Sequence, residues 1–235
     1  MDNSNIITIR EMYKRFPIGG GEFTALENIN LTFGKGEFSG LVGPSGSGKT
    51  TLLNIIGSLD TPTEGSAEVL GKSIAELSHK EAAGLRNHHL GFIFQTYNLL
   101  PVYTVYENVE FPLLLLDFSG DERKKAVLNA IEWVGLTDKL KSRPAQLSGG
   151  ESQRVAIARA MVKKPKIVLA DEPTANLDAE NSHHILQTME NLNKELDTTF
   201  IFATHDEKVV KYIRRKISLL DGRVDNDELK TVNKY

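Results

Sequence analysis

The octapeptide GPSGSGKT, Gly43 to Thr50, follows directly on the apolar run FSGLV and constrains this 235-residue chain more than any other stretch. It fits G-x-x-x-x-G-K-[ST] in full. Glycines at those positions let the backbone curl so that successive N–H groups point inward at a phosphate. The lysine then reaches the β- and γ-phosphates and the final hydroxyl can ligate Mg²⁺. The helical run TTLLNIIGSL comes next, so the context is strand, loop, helix. Gly43, Pro44, Ser45, Gly46, Ser47, Gly48, Lys49 and Thr50, with Thr51 just beyond, are the candidate phosphate-binding residues. A second glycine cluster, IGGGE, has no Lys-Ser/Thr after it and reads as a hairpin loop.

Three more apolar runs end on polar groups in the same manner. GFIF runs into Gln95, IVLA into Asp171 and Glu172, and TFIFA into Thr204 and His205. From Gln153 onward helices and short apolar strands alternate, which predicts a parallel sheet with crossover helices. In such sheets ligands bind beyond the carboxyl ends of the strands, so these four ends describe one site. Asp171 is placed to hold Mg²⁺, and Glu172 to orient or deprotonate an attacking water. Taken singly, Gln95 reads better as an ordinary capping amide and His205 as a structural histidine. His79, His88, His89, His183 and His184 lack metal-ligand spacing and read as solvated. Trp133 reads as core on the amphipathic helix DERKKAVLNAIEWVGL, the clearest part of a helical middle from Glu107 to Leu140.

Composition excludes other classes. Lys plus Arg number 28 against 31 Asp plus Glu, a net charge of -3, so no basic excess exists to hold nucleic acid. Without cysteine there are no disulfides and no thiolate metal sites. The longest greasy run, FPLLLL, is too short to span a bilayer. The expectation is a soluble, cytoplasmic chain whose membrane role comes through a partner. The segment after Gly222, RVDNDELKTVNKY, is polar and is expected to fray.

A second anion-receiving helix start follows in QLSGGESQRVAIARAMVKKP, residues 146–165. A glycine turn opening a helix offers free N–H groups and the positive end of the dipole. Two such starts can serve two ligands, or one ligand held between two copies docked head-to-tail, which two-fold symmetry turns into two identical composite sites.

The segment LSGGESQ, Leu147 to Gln153, between the phosphate loop and DEPTANLD, resembles the signature of ABC-type ATPases over nearly the whole chain. The resemblance implies an α/β P-loop NTPase fold with a mostly parallel core sheet, an N-terminal antiparallel β-subdomain and a helical subdomain over about 96–150, in a single domain ending in the polar tail 223–235. It implies ATP and Mg²⁺, with Thr50, Gln95 and Asp171 as metal ligands. Glu172, His205, Gln95 and Lys49 become the catalytic set. Ser148, Gly149, Gly150 and Glu151 would meet the γ-phosphate held by a second copy, with Asp178 at the interface. Phe16 matches the aromatic that stacks on adenine, where the family usually has Tyr, and Tyr13 is a weaker match. GSLDTPTEG, RNHHLGFIFQTYNLLPVYTVYENVEFPL and LADEPTANLD look most like the ATPases of lipoprotein-releasing and macrolide-export systems. Ala175 departs from the Gly usual in that branch. Implied partners are membrane permease subunits and a second ATPase subunit, at the cytoplasmic face of the inner membrane. Cell-division regulators of FtsE type and other ABC importers or exporters share the motifs. Chromosome-organising relatives do not fit, because the interval from Thr50 to Leu147 carries no sustained heptads.

Overall fold

In the computed structural model, which describes residues 5–230, two sheets share the chain. The first is antiparallel and holds β1 (Asn5–Ile18), β2 (Gly21–Gly34), β4 (Glu64–Val69) and β5 (Lys72–Ser73) in the order β2-β1-β4-β5. IGGGE forms the hairpin turn, with Gly19 and Gly20 at positive φ between β1 and β2. The second sheet holds β3 (Phe38–Val42), β6 (Leu90–Ile93), β7 (Ile167–Asp171), β8 (Thr199–Thr204), β9 (Arg215–Leu220) and β10 (Arg223–Leu229) in the order β10-β9-β3-β8-β7-β6. Its pairings are parallel except β10 on β9.

Among the described residues seven α-helices join these strands: α1 (Lys49–Ile56), α2 (His79–His89), α3 (Val105–Glu110), α4 (Gly120–Trp133), α5 (Gly149–Met161), α6 (Ala179–Leu196) and α7 (Glu207–Tyr212). Helices α2, α3, α4 and α5 each begin with a capping box, Ser78/Glu81, Thr104/Glu107, Ser119/Glu122 and Ser148/Glu151. In each, the cap hydroxyl and the glutamate three residues on satisfy two otherwise orphaned N–H donors.

Strand alternation splits the buried core in two. On β8, Phe200 and Phe202 face one cluster while Ile201 and Ala203 face the other; on β7, Val168 and Ala170 oppose Ile167 and Leu169. The first cluster takes the helices α3 to α7 and the second takes α1 and the antiparallel sheet. Buried on both faces, these strands read in sequence as unbroken apolar runs.

The α/β architecture matches the expectation, mixed as to strand direction only at its β10 edge. Within the helical segment, α3 and α4 are separated by the 3₁₀ turns of Phe111–Leu115 rather than forming one run. The fraying expected after Gly222 does not hold for residues 223–229, which pair as β10; residues 231–235 lie outside the described region. Trp133 is partly buried against the first cluster, as expected. Among the described residues no helix is long and apolar enough to cross a membrane.

Candidate functional site

The four strands that end on polar groups are adjacent in the parallel sheet, β3-β8-β7-β6, so their carboxyl ends open on one side. A cavity of about 400 Å³ lies there. The loop after β3 contributes Ser45, Gly46 and Gly48, the first turn of α1 contributes Lys49, Thr50 and Thr51, and the segment after β6 contributes Gln95. Asp171 and Glu172 come from the end of β7 and His205 from the end of β8.

The loop is built for a close approach. A Cβ on Gly43 would fall 2.2 Å from the Leu219 carbonyl and 2.8 Å from Ser47 Oγ, so no side chain fits. The Ser47 hydroxyl is buried without a hydrogen-bond partner, an arrangement that an incoming acceptor would relieve. Gly48, at φ 96, takes the left-handed conformation that starts α1 with no side chain covering its first N–H groups. Lys49 is buried and folds back to donate to the Gly43 and Pro44 carbonyls at 2.7 and 2.8 Å. Burial pulls its pKa down, opposed by Glu172 and Asp171.

The acidic side is equally ordered. Thr50 Oγ1 donates to Asp171 Oδ2 at 3.0 Å. Burial raises the Asp171 pKa, with the Thr50 hydrogen bond acting the other way. Glu172 sits at φ 46, an uncommon backbone state for a residue with a side chain. Its carboxylate accepts from His205 Nδ1 at 2.6 Å and from Thr204 Oγ1 at 3.1 Å. The Gln95 carbonyl accepts from Asn176 at 2.9 Å, tying the segment after β6 to the loop after β7.

The remaining candidates lie apart from this cavity. Ser148 Oγ caps α5 by accepting from the Glu151 N–H at 3.2 Å, and the Ser148 N–H donates to Glu151 Oε2 at 2.7 Å. Gly149 and Gly150 pack close to Tyr97, Asn176 and Asn181, with no room for a Cβ on Gly150 beside Asn181. Asp178 caps α6 by accepting from the Asn181 N–H at 2.8 Å, and that bond lowers its pKa. Phe16 does not line the cavity. It pairs across the hairpin with Phe23, which does, together with Ala25. Residues directly opposite in an antiparallel pair project to the same face, so the two rings share it. Phe23 and Ala25 were not among the sequence candidates, Thr204 was named only as a strand end with no role, and only the hairpin register could have pointed to Phe23.

Residues 26–175 match the family described as ABC transporter. The lipoprotein-releasing system ATP-binding protein LolD of Geobacter metallireducens is 42% identical, covering 95% of this chain and 100% of that protein. The macrolide export ATP-binding/permease protein MacB of Burkholderia thailandensis is also 42% identical over 95% of this chain, which spans 34% of that protein's length. Among solved structures, the ATP-binding cassette MJ0796, in a dimeric post-hydrolysis state with ADP and Pi, gives a TM-score of 0.88 at 41% identity, covering 95% of this chain and 98% of that one. With similarity of this extent in both sequence and fold, the chain belongs to the ABC transporter family, as one of its ATP-hydrolysing cassettes coupled to transport.

Proposed function

We propose that this chain is the ATP-driven subunit of a membrane complex of the lipoprotein-release or macrolide-export type, working as a head-to-tail pair at the cytoplasmic face of the inner membrane. The observation that carries the reading is the convergence of Lys49, Gln95, Asp171, Glu172 and His205 from four neighbouring strand ends on one cavity. The likeness to LolD, which extends over that protein's full length, supports the lipoprotein-release reading with permease partners.

In this reading the glycine loop and α1 receive the ATP phosphates through backbone N–H groups, and Lys49 moves from the Gly43 and Pro44 carbonyls onto the phosphate oxygens. Phe16 stacks on adenine, with Phe23 across the strand extending the aromatic surface. Glu172 accepts a proton from the attacking water, and His205 leaves Glu172 for the γ-phosphate. The Ser148–Glu151 turn of a second copy, with Asp178 beside it, closes the site and keeps water out.

A divalent cation fits the donors present. Thr50, Asp171 and Gln95 offer a hydroxyl, a carboxylate and an amide, all oxygen donors suited to a hard ion. Among the described residues no group of three or more His, Cys, Asp or Glu side chains could hold a metal. Mg²⁺ keeps waters and phosphate oxygens in its shell beside one or two protein ligands. When bound, it would neutralise charge on the phosphates.

Glu172→Gln tests the reading. The variant should bind ATP, form a dimer on ATP by light scattering, and hydrolyse it at least about 100-fold more slowly. Turnover at the parental rate would remove Glu172 as the base. A chain that binds ATP yet stays monomeric at every concentration would remove the composite site.

A further inference from the structure

Both carboxylate oxygens of Glu172 are engaged, by partners of opposite character. Oε1 accepts from His205, whose side chain is 67% exposed. Oε2 accepts from Thr204, which has no exposed surface. The first partner stands at the solvent side and is free to be exchanged for another; the second is walled in at the last position of β8.

The Thr204 hydroxyl is held in one orientation by its own surroundings. The Asp206 N–H donates to Thr204 Oγ1 at 3.0 Å, and a backbone N–H can only donate. The hydroxyl proton is therefore left for Glu172 Oε2. Asp206 is fixed in turn, because Thr174 Oγ1 donates to its Oδ2 at 2.9 Å and the Lys208 N–H to its Oδ1 at 2.9 Å. Thr174 stands two residues beyond Glu172 and is itself buried. The bonds thus close a ring through Glu172, Thr174, Asp206 and Thr204, which staples the turn after β7 to the turn after β8. On the backbone side, the Glu172 N–H donates to the Ala203 carbonyl at 2.9 Å and the Ala175 N–H to the Glu172 carbonyl at 3.2 Å. A left-handed residue of this kind persists where its surroundings over-determine it.

We infer that Thr204 is a positioning residue for hydrolysis: its hydroxyl holds Oε2 of Glu172 throughout the cycle, so that when His205 departs the freed oxygen Oε1 already faces the water to be activated. The inference rests on Glu172 being the base. A carboxylate free to rotate about its side-chain torsions would lose that alignment, and misplacement of a catalytic group is costly to the chemical step while leaving substrate binding alone.

The test is steady-state kinetics on the full chain with Thr204→Val, which keeps the branched shape and removes the hydroxyl, and Thr204→Ser, which keeps the hydroxyl. The valine variant should lose about 10- to 100-fold in kcat, the range for a hydrogen bond to a charged group, with KM for ATP and affinity for a fluorescent ATP analogue unchanged. The serine variant should recover most of kcat. In the Glu172→Gln background, Thr204→Val should cost nothing further, since the two act as one unit. Thr204→Ala, which adds no bulk, repeats the measurement where valine lowers the melting temperature into the assay range. Parental kcat in the valine variant overturns the inference, as does a serine variant that falls as far as valine, or a loss that multiplies with Glu172→Gln. Should Glu172→Gln alone turn over at the parental rate, the base assignment fails instead, and the two failures are told apart because each variant is measured singly.

Discussion

Two helices of this protein begin with glycine turns, and they are finished in opposite ways. At α1 the cap is Gly48 in the left-handed state, with no side chain on the first N–H groups and no acidic residue in the first turn. At α5 the cap is Ser148, whose hydroxyl takes the Glu151 N–H while Glu151 takes the Ser148 N–H. Glu151 also sets a negative charge at the positive end of the helix, and Lys139 lies 3.4 Å from it. The first start leaves its donors and dipole for an external anion. The second has answered much of its own need and retains only the N–H groups of Gly149 and Gly150. A helix so finished suits a surface that completes a site already charged with phosphate, and the contrast predicts that the two starts fail differently.

The largest effect is expected at α1. Lys49→Ala removes the buried ammonium at the start of α1 and should weaken nucleotide binding by about 10- to 100-fold or more, the range for charge-assisted hydrogen bonds to phosphate. Titration with a fluorescent nucleotide measures it, and unchanged affinity would end the assignment of α1 as the primary phosphate helix. At α5 the cost should move from binding to assembly. Ser148→Ala deletes the cap and should lower folding stability by about 1 kcal/mol in a denaturant titration. Nucleotide affinity of the dilute chain should hold, while ATP-dependent dimerisation in the Glu172→Gln background weakens. A Ser148→Ala variant that loses nucleotide as Lys49→Ala does would erase the distinction between the helices.

The same contrast marks what could be read without coordinates. The four strand ends were legible because β3, β6, β7 and β8 are buried on both faces and therefore run apolar until a polar residue stops them. The Ser/Thr-x-x-Glu spacing of the capping boxes is likewise local, so it too is visible in sequence. The last strand β10 was not, because it is an edge strand with mostly exposed residues and no apolar face to repeat. Its one signal was the turn Asp221–Gly222, both at positive φ, which is an Asp-Gly hairpin. The place of Phe23 and the role of Thr204 were hidden for a different reason. Each owes its place to a partner brought alongside by tertiary structure, Phe16 across the hairpin and Glu172 across β7 and β8.

The smallest expected effect is the most discriminating for α5. Glu151→Gln keeps an acceptor for the Ser148 N–H, since glutamine also serves in a capping box, but it removes the charge. The hydrogen bond from the Ser148 N–H holds the Glu151 carboxyl below its ordinary pKa. A carboxylate with a lowered folded-state pKa contributes stability above its unfolded value and loses it as pH falls through the folded value. The parent chain should therefore shed a little stability on acidification that the glutamine variant does not. Near neutral pH the cost of the substitution should stay under about 0.5 kcal/mol, because the Lys139 pair is partly exposed. Association should change in the other direction. With the negative charge gone, the Gly149–Gly150 turn meets a γ-phosphate without repulsion, and ATP-dependent dimerisation should tighten in the Glu172→Gln background. Dimerisation that weakens instead would mean that the carboxylate itself contacts the partner, and that the start of α5 is closed to anions.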